Sequence, residues 1–176
     1  MCSSDLDAVS VAALAQRLDK LELDVLINNA GIFPERGGFA SADPDEVLRV
    51  YAVNTVGPLR VTQALLSALR RGEHKLIMNM SSGLGSIADN GRGSSVGYRS
   101  SKAALNMQTR TLAMELQDEG FICIVMSPGW VRTDMGGERA PLSATESVRG
   151  MLETMASLGP EQTGEYFNHD GQQLPW

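Results

Sequence analysis

Two cysteines and two histidines are all the soft or imidazole ligands that these 176 residues offer. Neither His74 nor His169 has a Cys or carboxylate companion at metal-ligand spacing, so no zinc site is expected. Basic charge is also scarce: 15 Lys and Arg stand against 21 Asp and Glu, for a net charge of −6. No basic cluster is longer than Arg70-Arg71, which argues against a nucleic-acid surface. No apolar run reaches the ~18 residues of a membrane helix, and the opening does not read as a signal peptide. Cys123 lies in an apolar strand pattern, which fits a reducing, cytoplasmic setting without disulfides. The sequon Asn79-Met80-Ser81 falls at a strand end and is read as chance. A further absence concerns glycine. No glycine-rich turn follows an early apolar strand.

What is present is ordinary for one globular domain, at 43% hydrophobic and 20% charged. Val11, Leu14, Ala15 and Leu18 recur at helical spacing, predicting a helix over 8–20. Val25-Leu26-Ile27 predicts a short buried strand. At Asp43-Pro44-Asp45-Glu46 the pattern predicts a helix start: Asp43 as N-cap, Pro44 at the first position, Glu46 closing a capping box. That helix meets Gly57-Pro58 and resumes to about Arg70. Strands are predicted over 75–81, 121–126 and 165–168, and helices over 98–119 and 145–158. The segment 134–143, with Gly136-Gly137 and Pro141, reads as a mobile loop. Strands alternating with helices predict an α/β, doubly wound parallel sheet.

One glycine pattern is present in the wrong place. Gly83-Leu84-Gly85-Ser86-Ile87-Ala88 fits G-x-G-x-x-G/A after a strand. A dinucleotide site needs a helix to begin inside that pattern, so that its N-terminal dipole meets the pyrophosphate. Here turn residues follow, Asp89 to Gly93, and no acid stands about 20 residues on. It is read as a loop. "GRGSSVG", which precedes a helix but follows no strand, fails as well.

Tyr98 and Lys102 stand at i and i+4, side by side on one helical face. An ammonium beside a phenol favours the phenolate and is expected to lower the tyrosine pKa, suiting it to proton transfer with an alcohol or carbonyl. Such a pair alone is usually surface packing. Ser81-Ser82 ends the strand before it, where open α/β sheets present ligand-facing groups. Pro58 has no N–H, so the Asn54 carbonyl loses its i+4 partner and a kink is expected. A water at that carbonyl would lead protons away from Lys102.

Asn28-Asn29-Ala30-Gly31, Asn54, Ser82, Tyr98-x-x-x-Lys102 and Pro128-Gly129 occur in the order of the short-chain dehydrogenase/reductase family. The chain resembles that family from about Asp7 onward, and its ending "GEYFNHDGQQLPW" is similar to the C-factor-type carbonyl reductase branch. The resemblance implies a Rossmann-like domain with a catalytic tetrad of Asn54, Ser82, Tyr98 and Lys102. It also implies an NAD or NADP cofactor and a small carbonyl or alcohol substrate. Asn28, Ala30 and Gly31 would line the adenosine side. Pro128, Gly129, Val131 and Thr133 would contact nicotinamide, Lys102 would hold its ribose, and 134–143 would close over substrate. Family members pair through the equivalents of the 44–70 and 98–119 helices, so a homo-dimer or tetramer is expected.

The family's TGxxxGxG loop and first strands have no counterpart here. Residues 1–6, "MCSSDL", match the translation of a common sequencing adapter and are expected to be a non-native start. Residues 7–176 would then be the C-terminal two-thirds of a single Rossmann-like domain. Without the loop the chain as written is expected to be inactive and poorly soluble, its first strand an exposed edge. The alternative is a non-enzymatic binding or interaction module that keeps the fold without the cofactor half.

Overall fold

A four-stranded parallel sheet in the order β1-β2-β3-β4 carries the chain, the doubly wound architecture expected from alternating strands and helices. The computed structural model describes residues 7–34 and 37–176. Cys2 and the expected non-native start at 1–6 lie outside the described residues. In chain order the elements are α1 (Ala8–Leu18), β1 (Val25–Asn28), α2 (Pro44–Tyr51), a π-helical turn (Ala52–Val56) and α3 (Gly57–Arg71). There follow β2 (Leu76–Met80), α4 (Val96–Leu116), β3 (Ile122–Ser127), α5 (Ala144–Ala156) and β4 (Tyr166–Asn168).

Register is continuous, with Leu26 beside Ile77 and Ile77 beside Cys123. Because side chains alternate along a strand, these three residues share one face. They pack there against Leu65 and Leu69 of α3 and Ala113 and Leu116 of α4. Leu76, Met78, Ile124 and Met126 turn to the other face and meet Met151 of α5 and Phe167. A parallel sheet covered on both sides needs near-continuous apolar strands, which is why β2 and β3 do not alternate in polarity.

β1 departs from the expected buried strand. Val25 and Ile27 are each 43% exposed, because they lie on the α5 side and α5 packs over β2, β3 and Phe167 of β4. Leu26, on the opposite face, packs against the α3–α4 core. The start of α2 also differs in detail. Asp43 caps it, accepting from the Asp45 N–H at 3.0 Å, and Pro44 opens it. The Glu46 carboxylate takes Arg49 one turn on, at 3.0 Å, so the expected capping box does not form. The box is instead at Ser143 and Glu146, where the Glu146 carboxylate accepts from the Ser143 N–H at 2.8 Å.

The glycine pattern at 83–88 folds as a 3-10 turn over Gly83–Gly85, and no α-helix starts between it and Val96. The segment 134–143 is pinned at its base rather than free. Arg132 donates to the carbonyls of Ala140 (2.9 Å) and Pro141 (2.7 Å), and Val131 bridges Leu142.

Replacing both exposed side chains, Val25→Thr with Ile27→Thr, keeps strand preference while removing apolar surface. Light scattering should show less aggregate at equal concentration. Stability should stay within about 0.5 kcal/mol. A larger loss would mean that this face is covered in solution.

Candidate active site

Each strand delivers its chemistry at its carboxyl end, which is where open α/β sheets bind ligands. β2 ends at Met80, and the next N–H, of Ser81, donates to the Met126 carbonyl at 2.7 Å, carrying the ladder one residue further. Ser82 is thereby presented beyond the sheet edge. Its hydroxyl caps the following turn, accepting from the Leu84 N–H at 3.2 Å. The same hydroxyl lies close enough to the Tyr98 phenol to favour its ionised form.

α4 brings Tyr98 and Lys102 to this edge on one face, both buried at 6% and 3% exposure. Phe33, two residues past the Asn-Asn-Ala-Gly run, stacks on the Tyr98 ring with centroids 4.2 Å apart. The Lys102 ammonium stands 5.8 Å from that ring's centre and donates to the Met80 carbonyl at 2.7 Å. Burial pushes the ammonium down to about 8. Burial also raises the Tyr98 phenol above its ordinary value, opposed only in part by Ser82. The expected lowering by Lys102 is therefore not found in this state. The ammonium is directed at a backbone carbonyl, and the ring is desolvated under Phe33.

Asn54 is completely buried and holds three groups together. Its Oδ1 accepts from the Ile32 N–H at 2.8 Å, and its Nδ2 donates to the Ile32 carbonyl (3.0 Å) and to Ser101 Oγ (3.1 Å). The loop after β1 is thus clamped to α4. Instead of the kink expected before Pro58, the helix widens. Gly57 N–H reaches back to the Ala52 carbonyl, five residues away, in the π turn that contains Asn54. Such single turns absorb a disturbed hydrogen-bond ladder and recur at functional sites.

The residues proposed to line a cofactor divide into two groups. A methyl built on Gly31 would lie 3.4 Å from both Asn54 Oδ1 and Lys102 Nζ; the backbone at Gly31 therefore borders the cluster, and Ala30 beside it is exposed. Pro128 and Gly129 follow β3. Gly129 has a positive φ of 77°, which favours glycine there; a methyl would meet only the movable end of the Leu142 side chain, at 2.7 Å. Val131 is half-buried, and the Thr133 hydroxyl accepts from Gly136 N–H at 3.2 Å within its own turn. Asn28 is occupied elsewhere. Its amide donates to Thr62 (3.1 Å) and Asn79 (2.7 Å) inside the molecule, so its side chain does not face the edge.

Several participants have no place in the sequence reading. Ser127 Oγ accepts from both Gly83 N–H (3.1 Å) and Gly129 N–H (3.3 Å), tying the serine loop to the Pro-Gly loop. Ser147 donates to the Pro128 carbonyl at 2.7 Å. Ser127 carries a local signal, since Ser-Pro at a strand end favours a turn. Ser101, Ser147 and Phe33 carry none, because their partners are distant in the chain.

A parallel α/β sheet with a hydroxyl, a phenol and an ammonium gathered at its carboxyl edge defines a Rossmann-like site class. The family model described as short chain dehydrogenase matches residues 4–142, and the chain belongs to that family. It is 44% identical to a protein named C-signal from Myxococcus xanthus, covering 88% of this chain and 93% of that one. Among solved structures it is similar to NADPH-bound carbonyl reductase from chicken fatty liver, at 35% identity and a TM-score of 0.91. That match covers 98% of this chain and 75% of the reductase. Carbonyl reductase Sniffer of D. melanogaster is similar to the same extent, at 36% identity and a TM-score of 0.88, over 99% and 75% of the two chains.

The low lysine value has a sign that can be tested. A Lys held at about 8 in the fold and 10.5 when unfolded sheds its proton earlier in the native state. The unfolded chain therefore binds more protons between those values, and stability rises with pH across that window. Urea unfolding should show wild type gaining on Lys102→Met from pH 8 to about 10, by at most on the order of 3 kcal/mol. Below pH 8 the gap should stay constant. A gap that is flat through pH 10 would show that the ammonium is not strained by burial.

Proposed function

We propose that this site is that of an NAD(P)-dependent oxidoreductase acting on a small carbonyl or alcohol. The observation that supports it most is the meeting of Ser82, Tyr98, Lys102 and the Asn54 clamp at one sheet edge. The nicotinamide half of a dinucleotide fits the residues present: Gly31 leaves open the approach to Lys102 Nζ, and Pro128-Gly129 borders the same edge. When bound, nicotinamide gives or takes the hydride. Ser82 orients the substrate oxygen, and Tyr98 moves the proton to or from it. Lys102 holds the ribose and, once its ammonium turns from the Met80 carbonyl, favours the phenolate. A proton relay through water at the Asn54 carbonyl belongs to the same reading. NAD and NADP stand as equal alternatives.

The assignment of residues 7–176 to a single Rossmann-like domain is part of this proposal. So is a cytoplasmic setting, which fits the buried free thiol of Cys123 and the absence, among the described residues, of a helix long and apolar enough to cross a membrane. A dimer or tetramer would use the groove between α3 and α4, lined by Leu59, Leu66, Leu105 and Leu112 and about 410 Å³ in volume.

A second reading has its own support. Among the described residues no glycine-rich turn joins a strand to a helix N-terminus, so the pyrophosphate half lacks its usual anion site. The relative covered almost end to end is named a signal, whereas the carbonyl reductases are covered to 75%. On this reading the chain is a non-enzymatic binding or interaction module.

Calorimetric titration with NADH and NADPH separates the two. The oxidoreductase reading expects saturable binding and carbonyl turnover where a glycine-rich loop accompanies these residues, and inactivity with very weak dinucleotide binding from the 176 residues alone. Tyr98→Phe should then keep cofactor affinity within about twofold and lower kcat by about 10²-fold or more, the range of general acid catalysis. Binding absent at millimolar dinucleotide even with such a loop present would favour the module. Full turnover in Tyr98→Phe would remove the tyrosine from its role.

A further inference from the structure

The loop that carries Ser82 is rich in glycine and serine, and its own sequence does little to fix it. What fixes it comes from β4 and the segment behind it. After β4 the chain turns back: Asn168 N–H donates to the Gln172 carbonyl at 2.8 Å and Leu174 N–H to the Tyr166 carbonyl at 2.8 Å. Phe167 and Gln173 form an antiparallel bridge. This return lays Trp176 against Tyr166, with ring centroids 5.5 Å apart.

From that position the two aromatic residues hold the serine loop at both ends. Tyr166 is wholly buried, and its hydroxyl donates to the Ser82 carbonyl. The Ser81 hydroxyl and the Asn106 amide lie against the same phenol. Trp176 offers its carbonyl to the Ala88 N–H at 2.9 Å and to the Ser86 hydroxyl at 3.4 Å. Between these points Asn106 Nδ2 donates to the Gly85 carbonyl at 3.3 Å. Ser82 is therefore anchored through its main chain while its side chain remains directed at Tyr98.

We infer that Tyr166 and Trp176 are positioning residues for Ser82, setting where its hydroxyl stands relative to the Tyr98 phenol. The inference rests on the oxidoreductase reading for its consequence, since a hydroxyl that must hold a substrate oxygen tolerates little displacement. Neither residue touches the reacting atoms. Tyr166 acts on the Ser82 backbone. Trp176 acts by covering Tyr166 and closing the far end of the loop.

Amide hydrogen exchange on the full chain tests the physical claim without needing turnover. Tyr166→Phe removes one hydroxyl and keeps the ring, whereas Trp176→Ala removes the covering ring. Tyr166→Phe should speed exchange over residues 83–88 by about tenfold through the lost bond to the Ser82 carbonyl. Trp176→Ala should act in the same direction by uncovering Tyr166, its main-chain bonds being kept, while other segments keep their wild-type rates. Trp176→Phe should restore the wild-type pattern. In turnover the first two variants should lower kcat and leave the dinucleotide KM unchanged. Unchanged exchange at 83–88 in both variants overturns the inference. So does faster exchange everywhere in step with a lower Tm, or local loosening with wild-type kcat. Where the wild-type chain binds no dinucleotide, the exchange comparison alone decides whether these residues hold the Ser82 loop.

Discussion

The loop after β1 and the helix that carries the tyrosine and lysine meet at the carboxyl edge through the side-chain amide of Asn54. It spends both donors and one acceptor site on the Ile32 backbone and the Ser101 hydroxyl, which ties the loop after β1 to α4 across the interior. An isolated amide buried this deeply would cost several kcal/mol, so the arrangement is stable only while all these partners stay in register. That requirement explains the π turn. Widening the helix over Ala52–Val56 absorbs the break that Pro58 imposes, and it sets Asn54 at the level of Ser101, one residue before Lys102. Move the turn, and the ammonium and the Gly31 backbone separate.

Tyr98 and Lys102 are displaced in opposite directions for one reason. Both lose water, and desolvation favours the neutral form of each, raising the phenol and lowering the ammonium. A pair so arranged is not yet a phenolate beside an ammonium. It becomes one only when another group takes the place of the Met80 carbonyl in holding Lys102, or when charge nearby rewards ionisation. The site is thus assembled in position but not in protonation state. That division matches a family chemistry in which the cofactor completes the environment.

How much of this was readable beforehand follows from the range of each interaction. The Tyr98-x-x-x-Lys102 spacing, the Asp43-Pro44 helix start and the apolar strands β2 and β3 are local patterns, and they appear where the residues place them. The false glycine fingerprint was also legible as a loop, because the turn residues after it leave no helix for a phosphate. The capping box was misplaced since Glu46 had a competing partner in Arg49, one turn away, whereas Glu146 meets Ser143 directly. The partners of the Asn28 side chain were not legible for a different reason. Its fate depends on Thr62 and Asn79, from other elements, and period-2 alternation alone does not say which face of β1 the covering helices take. Tyr166 and Trp176 lie furthest from prediction, as their partners Ser82 and Ser86 are 84 and 90 residues away.

The two faces of β1 show how unevenly the fold is supported. On one face Leu26 is packed against the α3–α4 core and Asn28 is bonded to Thr62 and Asn79. On the other Val25 and Ile27 stand open, since the helix on that side reaches no further than β2. The chemical groups escape this weakness by their placement. Ser82 follows β2, Tyr98 and Lys102 ride on α4, and the Pro128-Gly129 loop follows β3, all on the two central strands or the helix between them. Those strands pair on both edges, and their apolar runs are covered on both faces. A loss of order at β1 would therefore reach Gly31 and the Asn54 clamp before it reached the serine or the tyrosine. Binding at the β1 side is the function most exposed to that loss, and proton transfer at α4 the least.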